Sequence, residues 1–349
     1  MTARPRPVLA TGRMASPLLF RTTLCLLMTG AAWVPARAEE ALAMIEAPAL
    51  DIADLHAQPV SLVVTQPAGE PSTAAPAVAE AAYGPPAPDN GRPAKRDLRT
   101  FSEQVGAVKW EVGGIAAYMT VINVKKMTEV GTRGFHFQNE GWFGKSTLNL
   151  GVDKLAHAFN TYAISDILYA RLRRKTDAPS AAVTAAVLAS GLQIYSEFFD
   201  AVKKSSGFSV QDVAFNTAGA ALSALRNSVP GMRDKLDFRL LFIPNSDIYT
   251  FMGGEHYEQE RFLLALQLSG FEAFKHTPLR FVELHAGYYG KDFSGPDRDA
   301  GKIPQRKPFI GIGLNLQELL FPHPRSRAAK IGRGALDYFQ VPYTAVHID

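Results

Sequence analysis

The period of the hydrophobic pattern changes partway along this 349-residue chain, and that change constrains the fold more than any other feature. From about residue 101 to 232, apolar residues recur at helical spacing; beyond Arg233 they alternate with polar ones. A run of helices followed by a run of strands belongs to the α+β class rather than to an alternating α/β fold. The expectation is a four-helix domain over 101–232, followed by a small antiparallel β-rich region over 233–349.

The first helix is expected from Val105 to Lys126 and the second from Asp153 to the basic run Arg171–Lys175. The third is expected from near Pro179 to Val202. The fourth opens with Ser209-Val210-Gln211-Asp212, which resembles a capping box, and ends before Pro230. Ala178–Ser196 carries no charge over 19 residues, but it is built mainly from Ala, Ser and Gly, and Asp166 interrupts the second helix. A compact bundle outside the inner membrane is the favoured reading, and membrane association is the competing one. Strands are expected at 237–243, 261–271, 279–289 and 308–316. In the last, Ile310, Ile312 and Leu314 share one apolar face, suited to cover a core or to face lipid, while Gly311, Gly313 and Asn315 share the other.

Charge and cysteine content sharpen once the N-terminus is set aside. Residues 1–38 hold five arginines, no acid, the single cysteine Cys25, an apolar stretch Leu24–Val34 and the small-x-small sequence Ala36-Arg37-Ala38. These are the parts of an export signal peptide, and Leu24 before Cys25 argues against a lipoprotein signal. Without them the chain has net charge −1 and no cysteine, which excludes disulfides, thiol chemistry and thiolate metal sites. Residues 39–100, with 15 Ala and 9 Pro, read as a disordered linker. Near-neutral charge gives no reason to expect nucleic acid, and the absence of a Walker A or GxGxxG motif gives none to expect a nucleotide.

The informative residues are polar groups on apolar helices. Asp153 and His157 lie four apart at the start of the second helix, with Lys154 beside them. Gln193, Glu197 and Asp200 share a face at the end of the third, and Asp212 and Asn216 a face in the fourth. Gly219, a turn further, is placed for close backbone approach. Convergence of Asp153, Lys154, His157, Glu197, Asp200, Asp212 and Asn216 would make a ligand-binding site. A divalent metal such as zinc or manganese suits carboxylates with one imidazole, and His157, Glu197 and Asp200 are the candidates for acid–base catalysis. The alternative is a buried hydrogen-bond network in which Asp153 and the Ser209–Asp212 pair cap helices and Lys154 neutralises Glu197 or Asp200. Of the remaining histidines, His285 is placed on a strand and His347 in a solvated tail.

Trp142-Phe143-Gly144, Gly151-Val152-Asp153-Lys154-Leu155-Ala156-His157, Ser196-Glu197-Phe198-Phe199-Asp200, Ser206 to Asp212 and Asn216-Thr217-Ala218-Gly219 resemble the motifs of the YfiM-like domain of unknown function. The ordered acidic, histidine and asparagine set is more distantly similar to VanZ-like membrane proteins. The resemblance implies a periplasmic or outer-membrane-associated location in a Gram-negative cell and a shared polar site, and it supplies no reaction. The resulting expectation is an exported binding or scaffold module at a membrane surface, with envelope lipid or protein as partner and a polar pocket between helices. A metal-assisted hydrolase of an envelope lipid or glycan is the alternative.

Overall fold

The computed structural model describes residues 95–145, 147–244 and 254–349. The expected export signal, residues 1–38, and nearly all of the expected linker lie outside them. The last linker residues do not continue as a spacer: Arg96 N–H donates to Lys175 O, Leu98 is buried, and Thr100 caps the first helix through a reciprocal box with Glu103.

Among the described residues five helices, rather than four, precede the sheet: α1 (Phe101–Ala107), α2 (Lys109–Val130), α3 (Val152–Arg173), α4 (Ala181–Asp200) and α5 (Val210–Ser228). The single first helix expected from Val105 is divided between α1 and α2 by a 69° bend. The turn at Val108 drives that side chain, fully buried, among Leu168, Leu172, Ala181 and Ala185. Gln104 secures the bend by donating to Leu98 O and Ser180 Oγ. Helix α3 is the hub, packed on α4 and α5 along one side and on the sheet along the other. Its contact with α5 is close enough to demand glycine, since a Cβ at Gly219 would lie 1.9 Å from Ala158 O. Among the described residues α4 is the one helix that passes by itself for a membrane span in length and composition.

The strands are β1 (Leu236–Phe242), β2 (Glu260–Gln267), β3 (Val282–Lys291), β4 (Gln305–Leu314), β5 (Phe339–Gln340) and β6 (Ala345–Ile348). They form one sheet in the order β5-β1-β2-β3-β4-β6. The expected antiparallel arrangement holds for four of its pairings, but β5 joins β1 in parallel, so the sheet is mixed. Strands β5 and β6 are too short to carry a readable alternation. Helices and sheet share a core: Phe159 and Tyr162 of α3 meet Phe238 and Phe262 at ring separations of 5.7–5.8 Å, contacts worth about 0.5–1.5 kcal/mol each beyond their burial.

Of the two roles left open for the apolar face, it covers a core only where α3 packs on it, through Phe238, Leu240 and Phe262. Past the α3 contact, the apolar face of Leu264, Leu284, Ile310, Ile312, Val346 and Ile348 is exposed. The other face carries buried Arg239, Glu283 and His285. A Cβ at Gly313 or Gly311 would strike His285 or His347, so small residues are what allow the inward face to close. His347 is therefore not a solvated tail residue: its Nε2 lies 3.0 Å from His285 Nδ1, and burial, then the neighbouring His285, pulls its pKa down to about 4. His285 Nε2 in turn lies 3.0 Å from Glu283 Oε1, and Arg239 donates to the same oxygen at 2.8 Å.

Between bundle and sheet lies a second buried ionic network. Arg226 pairs with Asp166 at 3.2 Å, with Asp237, and with Asp337 at 3.4 Å, all four being at most 1% exposed in their side chains. Asp166, which argued against a spanning helix, also accepts from Ser223, Asn227 and Tyr338.

Candidate functional site

The segment leading into α3 and the facing ends of α4 and α5 bring most of the candidate residues together. Helix α3 begins after Gly151, whose φ of 85° turns the chain inward, so Asp153 sits within the first turn and is not the N-cap expected of it. Lys154, at the next position, is almost completely buried. Its ammonium is held by Glu140, by Asp153 Oδ2 at 2.9 Å and by Asp212 Oδ1 at 2.6 Å. Burial alone would lower the Lys154 pKa, but the charges of Asp153 and Asp212, with hydrogen bonds to Asp212 and Glu140, outweigh it and raise it. The expected pairing of Lys154 with Glu197 or Asp200 does not occur.

His157, one turn along α3, faces two carboxylates without hydrogen-bonding either. Its Nδ1 lies 3.7 Å from Glu197 Oε1 and its Nε2 lies 3.7 Å from Asp212 Oδ2. The imidazole is 28% exposed and forms the solvent side of the site, whereas the Glu197 side chain is 2% exposed. Burial, then the nearby charges of Asp212 and Asp200, pushes the Glu197 pKa up to about 8, against an opposing hydrogen bond from the Ser209 N–H. Ser209 caps α5 by accepting from Asp212 N–H, but the Asp212 side chain turns to Lys154 and His157 and does not complete the expected box.

Two expected members stand apart. Asp200 pairs with Lys203 and accepts from Ser206 Oγ at 3.0 Å, acting on the site only through its charge. Asn216 lies a turn further along α5, fully buried, where its Oδ1 accepts from Thr161. Two residues were missed in the sequence. Glu140 lies in an irregular segment with no period to mark it. Tyr257 carries a phenol raised by burial and then by the charges of Glu260, Asp153, Asp212 and Glu140.

The arrangement therefore has two adjoining parts. Glu140, Asp153 and Asp212 surround an ammonium, whereas His157, Glu197 and Asp212 bring one ligand atom each within 4.8 Å of one another. An apolar cavity of about 360 Å³ lies between α2 and α4, lined by Val112, Ala116, Val187, Leu188 and Tyr195 among others.

Beyond this rim the surface is aromatic. Phe135, Phe137, Phe198 and Phe208 form a cluster with ring centroids 5.4–6.4 Å apart. Phe198 adjoins Glu197 in sequence, and Phe208 adjoins Ser209. The strand-like strip carrying Phe135 and Phe137 is fixed by the bonds His136 N–H to Ala201 O, Phe208 N–H to His136 O and Gln138 N–H to Phe208 O.

Residues 139–228 match the profile of DUF2279, a domain of unknown function described as a predicted periplasmic lipoprotein. No curated protein and no solved structure matched the chain. The matched segment contains Glu140, Asp153, Lys154, His157, Glu197 and Asp212, so it spans both parts of the site. The chain is accordingly an exported protein, periplasmic or membrane-associated.

Proposed function

We propose that this protein is a binding module that docks on an anionic membrane surface of the cell envelope, at the outer-membrane side in a Gram-negative cell. The observation that carries the reading is the aromatic cluster. Phe135, Phe137 and Phe198 are 50%, 68% and 54% exposed, yet the strip's backbone bonds hold Phe135 and Phe137 in place and α4 carries Phe198. Contiguous exposed aromatic surface is uncommon on soluble monomers and marks contact with membranes or partners. Exposed Lys125, Lys126, Arg133 and Lys204 lie at the same end of α2 and α4, the arrangement that anionic head groups favour. The motif likeness to YfiM-like proteins supports the same location. The ionic site beside the aromatic rim would then face the head-group layer.

The test is flotation of the purified mature protein with phosphatidylglycerol-containing vesicles. Each phenylalanine that enters the interface contributes about 1.5 kcal/mol, so Phe137→Ser with Phe198→Ser is expected to lower vesicle affinity roughly 100-fold. Binding that is absent in the parent protein, or equal in the variant, would reject the reading.

A further inference from the structure

We infer that His157, Glu197 and Asp212 together bind one divalent cation of the zinc or manganese class, with a further coordination position left open to solvent. The geometry is that of a metal site drawn slightly apart. Three ligand atoms, one from each residue, lie within 4.8 Å of one another. The 3.7 Å approaches come from different ring nitrogens, Nδ1 to Glu197 Oε1 and Nε2 to Asp212 Oδ2, so the imidazole offers one of the two to the ion. A point equidistant from three atoms at most 4.8 Å apart is at most about 2.8 Å from each, and zinc–ligand bonds are about 2.0–2.2 Å, so each ligand atom closes by less than about an ångström.

Charge supplies the second argument. Three carboxylates, Glu140, Asp153 and Asp212, surround the ammonium of Lys154, a fourth, Glu197, adjoins them across His157, and Asp200 has its own partner in Lys203. The ammonium fills the gap bounded by Glu140, Asp153 and Asp212. In the adjoining gap, among the described residues, no lysine or arginine reaches Glu197, although that carboxylate is 98% buried and aimed at His157. Buried carboxylates left without a cation are costly, and a divalent ion removes most of the excess.

The neighbours define the ion's class and its way in. Lys154 holds Asp212 by Oδ1, which leaves Oδ2 directed at His157. One imidazole with two carboxylates favours zinc or manganese over calcium or magnesium, which take all-oxygen sets. Entry is past the exposed edge of His157. Three ligands from three helices leave the open position typical of zinc sites that handle a bound water or a substrate oxygen. A different acidic trio, Glu258, Asp292 and Asp297, lacks this character: Glu258 is occupied by the N–H groups of Asp292 and Ser294, and Asp297 by Lys302.

This inference stands without any membrane, so its test is run in the absence of lipid and its failure is separate from that of the docking reading. Mature protein stripped with a chelator is titrated with zinc chloride alone, by calorimetry and by equilibrium dialysis. One ion per chain is expected, with affinity reduced at least tenfold in both His157→Ala and Glu197→Gln, and changed less than about twofold in Asp200→Asn. Cobalt is expected to give tetrahedral d–d absorption that disappears in His157→Ala. Glu197→Gln preserves side-chain shape and His157 is partly exposed, so circular dichroism melts establish that both variants fold. Substoichiometric binding by the parent protein, or affinity in the two folded variants equal to that of the parent, would overturn the assignment.

Discussion

Replacing Arg226 with alanine tests how the bundle is joined to the sheet. In the folded protein its guanidinium faces Asp166 of α3, Asp237 of β1 and Asp337 just before β5, and its Nε donates to Leu236 O at 2.6 Å. Alanine removes the cation but leaves three carboxylates with side chains at most 1% exposed. Arg239 still holds Asp237, and Arg233 still lies 3.7 Å from Asp337, so the loss is that of one broken buried pair rather than of every partner. Breaking such a pair costs about 3–5 kcal/mol. Domains are stable by about 5–15 kcal/mol, and at this size each kcal/mol moves Tm by about 2–4 °C, so a fall of about 6–20 °C is expected. The assay is urea unfolding of the mature protein at pH 8 and pH 5, followed by tryptophan fluorescence and far-ultraviolet circular dichroism. The deficit is expected to be smaller at pH 5, because a buried carboxylate deprived of its cation relieves the penalty by taking up a proton. Adding Asp237→Asn in the alanine background is expected to recover part of the loss. A deficit below about 1 kcal/mol, or one independent of pH, would show that solvent or rearrangement compensates these charges and that the network does not join the two layers.

Two further outcomes follow from single positions. Gly219→Ala places a methyl 1.9 Å from the Ala158 carbonyl oxygen, so α5 must move off α3; a loss of about 3 kcal/mol or more is expected in urea unfolding, and a neutral effect would contradict the packing. Burial pushes the Glu260 pKa up to about 8, above its ordinary 4.5. A raised folded-state pKa means that its contribution to stability is full below about pH 4.5 and is lost as pH rises through 8. Glu260→Gln should therefore flatten the decline in stability over that interval, and an unaltered pH profile would place the carboxyl in solvent.

Local signals account for what was legible. Helices α3, α4 and α5 follow from 3.6-residue apolar spacing because helical bonds close within the segment itself. The same spacing put Asp153 with His157, and Asp212 with Asn216, on common faces. Strand positions followed from alternation, although β5 and β6 did not, since two and four residues carry too little pattern. Glu140 stayed hidden because an irregular segment has no period. Arg226 and Arg239 were equally hidden because an arginine on an amphipathic element ordinarily reads as solvated.

The sequence by itself determined the order of helices and strands and most of the polar residues that could form a site. Only the tertiary structure decided which charges meet: Lys154 goes to Glu140, Asp153 and Asp212, Lys203 takes Asp200, and Glu197 is left facing His157. It also decided which sheet face turns inward, placing Arg239, Glu283 and His285 inside and Ile310 and Ile312 outside. The physical reason is that period depends on neighbours three or four residues away, whereas ion pairing and burial depend on distances between segments brought together only when the core closes.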